Sequence, residues 1–262
     1  MSRATDMRVA HNPDFTVIKE TVDYIVVDKP APLLIHPSVP GNPPTLLDGL
    51  QELLAYEIAN GATLSIINRL DRETSGVVIV AKNKETARKL SLAMQERRVS
   101  KEYVAVVHGT PTQNRFTISD PILRAGEVEE SAIWVKQIPH PAGTPCCTSF
   151  ETLEQHGELT LLRVSPKTGR MHQIRVHSKQ AGFPIVGDKI YGPDENCYLD
   201  FIENGWTQEL EEMLLMPRQA LHCHRMSIPG VGTWQAGLPV EFEHLLTTHC
   251  PASKVPAATK ES

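Results

Sequence analysis

The chain has 262 residues, 40% hydrophobic and 22% charged, and this composition suits a soluble globular protein with one sizeable core. A net charge of -5 and a pI of about 6.1 argue mildly against a nucleic-acid partner, and five cysteines without a C-x-x-C pair speak against a disulfide framework or a zinc ribbon. The first residues are charged rather than apolar, and the longest apolar runs, such as 77–81, are far too short to cross a bilayer, so the expectation is a cytoplasmic protein.

In chain order, residues 1–22 hold only short apolar stretches and read as a strand or an irregular lead-in. Asp-Tyr-Ile-Val-Val-Asp-Lys-Pro at 23–30 reads as a strand with a proline stop, and six prolines over 30–45 predict a loop. Apolar residues at 46, 47, 50, 53, 54 and 58 fit one amphipathic helix over 46–58, ended by Gly61. Gly76 opens a strand over 77–81. Residues 85–97 predict a helix with Ala87, Leu90 and Met94 on one face, and 102–107 a strand closed by His108 and Gly109.

Four β-rich segments, 116–118, 131–137, 148–153 and 159–164, are spaced like an antiparallel meander. After a turn at 167–170, the apolar residues of 171–180 (Met171, Ile174, Val176) fit strand and helix equally. A Gly-rich loop over 182–192, a helix over 208–216, a final strand over 220–228 and a disordered polar tail over 251–262 complete the reading. The sum is an α+β fold, a single domain over 1–250 built on a large mixed, mainly antiparallel sheet flanked by helices.

Chemistry concentrates in a few segments. Arg69-Leu-Asp71-Arg-Glu-Thr-Ser-Gly76 sets a carboxylate on a turn between arginines, where hydroxyls and amides can orient it and a guanidinium can keep it ionised. The plainer reading is a surface turn capped by an aspartate. Tyr103, in Lys101-Glu-Tyr, is either a core ring or a cleft-facing ring able to stack on a base.

Gly169-Arg170-Met-His172-Gln-Ile-Arg175-Val-His177 offers Arg170 for phosphate and Arg175 for an ion pair with a buried carboxylate, while the spacing of His172 and His177 does not suit a metal. His222-Cys-His224 puts two imidazoles on one strand face with no third ligand in view, so no metal is expected. The loop with Gly187-Asp-Lys189 and Tyr191-Gly192 is a candidate anion site through its amides, but it lacks the spacing of nucleotide-binding loops, so no cofactor is expected. Charge is also uneven: 163–189 holds six Lys or Arg and one acid, and 194–212 holds seven acids and no base. A local positive surface therefore fits an acidic chain.

The order and separation of these segments resemble the RluA-type family of pseudouridine synthases over about residues 20–245. The carriers are Val26-Val-Asp-Lys-Pro30 with His36-Pro37, Arg69 to Gly76, Lys101-Glu-Tyr103, Gly169 to His177, Pro184-Ile-Val-Gly-Asp-x-x-Tyr191-Gly, and Leu221-His222. The resemblance implies a pseudouridine synthase fold and a cofactor-free isomerase acting as a monomer on uridines of ribosomal or transfer RNA. Asp71 then matches the family's essential aspartate, Tyr103 its active-site tyrosine and Arg175 the basic partner of the aspartate. Leu221 matches an aliphatic residue packing in the pocket, and Arg69 an arginine that helps fill the space of the flipped nucleotide. Arg170, Lys101 and Lys179 are candidates for phosphate or nucleotide contacts.

Two departures stand out. Asn68 occupies a position where the family usually has His, which bears on RNA contacts nearby rather than on the chemistry. About 20 residues precede the catalytic homology, so the separate N-terminal S4 RNA-binding domain of many relatives is not expected. The acidic segment 194–216 reads as an insertion that shapes substrate choice. Two other readings compete with the synthase: a catalytically silent RNA-binding module of the same fold, and a hydrolase of another glycosidic bond. The hydrolase would need a second catalytic carboxylate, for which Glu73 is the near candidate.

Overall fold

A computed structural model describes residues 14–37 and 44–248, so the tail at 251–262 lies outside the described residues. The first half holds β1 (Thr16–Glu20), β2 (Tyr24–Lys29), α1 (Leu46–Leu53), α2 (Ala55–Ala59), β3 (Ser65–Ile66), β4 (Ser75–Ala81), α3 (Lys84–Gln95), β5 (Ser100–His108) and β6 (Arg115–Ile118). The second holds β7 (Ile122–Arg124), β8 (Gln137–Pro139), β9 (Thr148–His156), β10 (Leu159–Pro166), α4 (Gln173–Gln180), α5 (Asn196–Asn204), α6 (Gln208–Leu214), β11 (Leu221–Ile228), β12 (Gly232–Gln235) and α7 (Val240–Thr248).

Ten strands form one sheet in the order β1-β2-β4-β11-β5-β10-β9-β6, with β12 added on β11 and β3 on β4. Among the described residues β4 and β11 make the parallel pairing of this sheet, and its other strand pairs are antiparallel. The expected large mixed, mainly antiparallel sheet flanked by helices is what forms. No described helix is long and apolar enough to cross a membrane.

The sheet is covered on both faces, and the strand pattern says why. Successive residues of a strand point to opposite faces. In β2 and β4, Val26, Val77 and Ile79 pack with Leu90 and Ala93 of α3, whereas Ile25, Val27, Val78 and Val80 pack with Leu46 and Leu50 of α1. An unbroken β-branched run is what a strand buried on both sides requires. Further along the sheet, Val104, Val106, Phe150, Leu162 and Val164 pack with Phe242, Leu245 and Leu246 of α7. Caps set the helix starts: Thr45 and Asp48 form a capping box on α1, and the Asn83 side chain accepts the Thr86 amide of α3.

Several expectations are corrected. The helix expected over 46–58 divides at Leu54, where the backbone leaves helical geometry (φ -103°, ψ 24°) while the side chain stays buried. Residues 131–136 are turn rather than strand: Ile133 and Val135 pack against Ile122 and Val176, but their backbone has no strand to pair with until Gln137 opens β8. The strand over 220–228 is not the last, since β12 and α7 follow it. The segment read as an insertion carries two helices, α5 as well as α6.

At the parallel pairing, Gly76 sits opposite Cys223 with φ +115°. A Cβ there would stand 2.3 Å from the Cys223 carbonyl oxygen. Left-handed backbone and contact with main chain both exclude a side chain. Gly76→Ala is therefore expected to lower stability by at least about 2 kcal/mol, read from urea unfolding midpoints.

Candidate active site

Asp71 lies on the loop between β3 and β4, and that loop is pinned along its length. At its start, the Asn68 side chain donates to the Val77 carbonyl (2.9 Å) and accepts the Ile79 amide (2.8 Å). Buried in this way, Asn68 spends its side-chain amide on β4. In the middle, the Arg72 carbonyl accepts the Leu33 amide (2.9 Å) and the Lys29 ammonium (3.2 Å). At its end, Gln219 donates to the Thr74 hydroxyl at 2.6 Å.

Arg175 on α4 meets this loop from across the cleft. Its Nη1 donates to Asp71 Oδ2 at 3.1 Å, as expected from sequence. Its stronger pairing is with a buried carboxylate, as the sequence suggests without saying which: Nε and Nη2 grip both oxygens of Asp188 at 2.7 and 2.9 Å, and Asp188 is fully buried. Oδ1 of Asp188 also accepts the amides of Ile190 and Tyr191, each at 3.0 Å. The loop expected to cradle an outside anion thus cradles its own carboxylate. Pro184-Ile-Val-Gly-Asp188 stood among the motif residues, but nothing local told which charge it would meet.

The charges settle in a definite way. Burial pushes the Asp71 carboxyl up, but the Arg175 and His172 fields and hydrogen bonds from Arg175 and Gln219 outweigh it, leaving Asp71 below its usual range. Burial opposes ionisation of Asp188 too, and again Arg175 overcomes it. Asp71 retains 35% of its side-chain surface, so it is the member of this group that a ligand can reach.

His172 is the neighbour that sequence reading left without a role. It takes a left-handed backbone (φ 53°) just before α4 and places Nε2 3.9 Å from Asp71 Oδ2. Its Nδ1 lies 3.0 Å from the Tyr191 hydroxyl, which accepts the Gln137 amide at 2.7 Å and so has its own proton to donate. That assignment puts the imidazole proton on Nε2, facing Asp71. Burial, then the Arg175 charge, hold the His172 pKa at about 4, so the ring is neutral near neutral pH.

Two hollows meet at Asp71. One, of about 280 Å³, is lined by Asp71, Tyr103, Arg175, Leu221, Lys101, Arg69 and Arg170 among others. These seven, all singled out from sequence, converge there. The second, of about 650 Å³, runs from Asp71 past Met171 to Tyr198, Phe201 and Ile202 of α5. The Tyr103 hydroxyl bonds the Cys223 thiol, and burial leads the causes that raise both groups, Cys223 to about 12, so both stay neutral.

Lys179 lines neither hollow and instead donates to the Gly192 carbonyl at 2.6 Å. His222 Nδ1 lies 2.8 Å from the Ser75 hydroxyl and His224 Nε2 2.9 Å from the Gln235 amide nitrogen, so both rings serve the sheet. Among the described residues no three His, Cys, Asp or Glu gather as a metal site.

Two outcomes follow from these charges. Asp188→Ala leaves a buried guanidinium half-compensated and is expected to cost about 3–5 kcal/mol in denaturant unfolding. Burial also leads the lowering of His172 and His222, both to about 4 from 6.5. Across that window the unfolded chain takes up protons that the folded chain refuses, so stability falls as pH drops from 6.5 towards 4. His172→Gln is expected to flatten that decline when unfolding is followed over the same pH range.

The sequence profile described as RNA pseudouridylate synthase matches residues 23–180. The ribosomal large subunit pseudouridine synthase D of Pseudomonas aeruginosa is 35% identical over 244 residues, which span 91% of this chain and 73% of that protein. The protein of the same name from Haemophilus influenzae is 35% identical over 248 residues, 90% of this chain and 71% of the relative. Among solved structures, human RNA pseudouridylate synthase domain containing 4 superposes with a TM-score of 0.70 at 23% identity, covering 88% of this chain and 92% of the human one. Human RNA pseudouridylate synthase domain containing 1 gives 0.64 at 24% identity, covering 91% and 97%. The human structures bear on the fold; the profile and the bacterial relatives bear on descent, and by them this chain belongs to the RNA pseudouridylate synthase family.

Proposed function

We propose that this RNA pseudouridine synthase works through the Asp71 carboxylate, and that its target uridine lies in ribosomal RNA of the large subunit. The observation that carries the first part is an accessible carboxylate, kept ionised by Arg175, at the junction of two hollows. The second part draws support from the names of the bacterial relatives.

The reaction breaks the N1–C1′ bond of uridine, turns the base and rejoins it through C5, so the atoms of the substrate are conserved. Asp71 acts on the ribose, by attack on C1′ or by removal of a sugar proton; both need a carboxylate within reach of that ring. Tyr103, its hydroxyl tied back to Cys223, offers the face of its ring to the uracil. Leu221 packs on the base from the sheet, while Arg69, Arg170 and Lys101 take phosphate or nucleotide edges. Arg69 and Arg170 are exposed, as that role requires. Extruding a stacked base costs roughly a few kcal/mol, which contacts of this kind offset. A ribosomal target supports a cytoplasmic setting for the reaction.

A hydrolase working with two carboxylates finds less support. Glu73 is held by the Lys189 ammonium, 2.9 Å from each oxygen, and Asp188 is locked to Arg175 out of reach of solvent.

Asp71→Asn is expected to abolish tritium release from RNA labelled at uridine C5 while RNA binding persists; undiminished release ends the proposal. Mapping pseudouridine in cells with and without the gene is expected to lose a site in large-subunit ribosomal RNA, and a loss confined to transfer RNA overturns the ribosomal assignment.

A further inference from the structure

We propose that Trp134 is a stacking platform for a base of the substrate RNA next to the target uridine, in a hollow that opens off the cleft at Arg170. This rests on the synthase reading and extends it from the reacting nucleotide to a flanking one.

Trp134 is 75% exposed, in the turn that replaced the expected strand. A single exposed apolar side chain needs no explanation by itself. Here three further observations bear on it.

First, the Arg124 guanidinium lies 3.9 Å from the ring centroid and covers one face, with Glu127 3.7 Å from that guanidinium. The indole is backed by a cation on one side, and its large exposure comes from the rest of the ring. Second, the backbone that presents it is anchored. Ile133 is buried and Val135 packs in the same apolar cluster, the Lys136 amide bonds the Ile133 carbonyl at 3.1 Å, and the Ser131 hydroxyl donates to that carbonyl at 3.2 Å. A ring held open to solvent by a fixed backbone is already paid for in conformational entropy, as a binding platform should be. Third, a hollow of about 380 Å³ beside Trp134 and Arg124 shares Val135, Arg170 and Met171 with the 650 Å³ cleft at Asp71. The two hollows therefore adjoin at these residues.

The chemistry of this hollow selects its occupant. A flat aromatic face suits any nucleobase, guanidiniums at Arg124 and Arg170 suit a phosphate backbone, and the Gln137 amide suits a base edge. Glu127, the acid in the lining, stands against Arg124 and tempers the charge at that end. Arg170 therefore bears the backbone between target and neighbour, and Trp134 receives the next unstacked base. Single-stranded or splayed RNA is recognised through such aromatic faces.

The test uses the full chain and total RNA, tritiated at uridine C5, from cells lacking the gene. Trp134→Ala is expected to raise the half-saturating RNA concentration about tenfold, the size of one lost base stack, with kcat within about twofold. Trp134→Phe is expected to restore most of that loss. Filter retention of the same RNA by the Asp71→Asn chain, with and without Trp134→Ala, reads binding whether or not turnover occurs. Thermal melting of Trp134→Ala is expected to match the parent.

Unchanged half-saturation and retention overturn the platform, as does a melting point lowered together with binding and not rescued by Phe. Absence of tritium release by the parent chain is a different failure, that of the synthase reading.

Discussion

Arg175 divides its donors between two carboxylates, and the working of the site depends on that division. Asp188, buried and fixed by two backbone amides, takes the guanidinium in a two-point grip and supplies the charge that lets Arg175 remain buried. The remaining nitrogen faces Asp71, which stays ionised without being neutralised outright. Removing ions from water is costly, and a lone pair of charges in such a place gains little over apolar packing. Here every oxygen of Asp188 has a donor, so the cost is met by a complete set of hydrogen bonds. The arrangement reads as one built to hold a carboxylate charged and reachable rather than to add stability.

Much of this was legible in the amino-acid sequence because it rests on local pattern. The β-branched runs of β2 and β4 declare strands buried on both faces, and Arg69, Asp71, Tyr103, Arg170 and Arg175 stand in segments dense with donors. What escaped follows from physics the pattern does not carry. In α4 the residues from Gln173 to Ser178 are buried all round the helix, and Gln173, Arg175, His177 and Ser178 among them are polar, so apolar spacing cannot tell helix from strand. Ile133 and Val135 alternate as strand residues do, yet a strand needs a partner, and none is available there. The pairing of Arg175 with Asp188 joins a helix to a loop through side chains alone, and His172 acquires its role from a left-handed backbone turn that no composition announces.

The acidic segment also changes meaning in three dimensions. Its helix α5 turns Tyr198, Phe201 and Ile202 toward the cleft, and Lys189 sits 4.6 Å from the Phe201 ring centroid while holding Glu73. An acidic stretch thus meets the cleft with apolar side chains. The overall pI of about 6.1 says little about the surface that RNA would meet, which is edged by Arg69, Arg72 and Arg170.

The side-by-side run of β4 and β11 has a geometric consequence. Because the two strands point the same way, the loops that feed them open at the same margin of the sheet, and residues nearly 150 positions apart arrive as neighbours: Gln219 reaches Thr74, and Leu221 shares a hollow with Asp71. Reversing β11 would carry its entry point to the opposite margin, roughly 25 Å away over its eight residues. Strand direction, at one seam of the sheet, decides that these two distant stretches of chain make a single workplace.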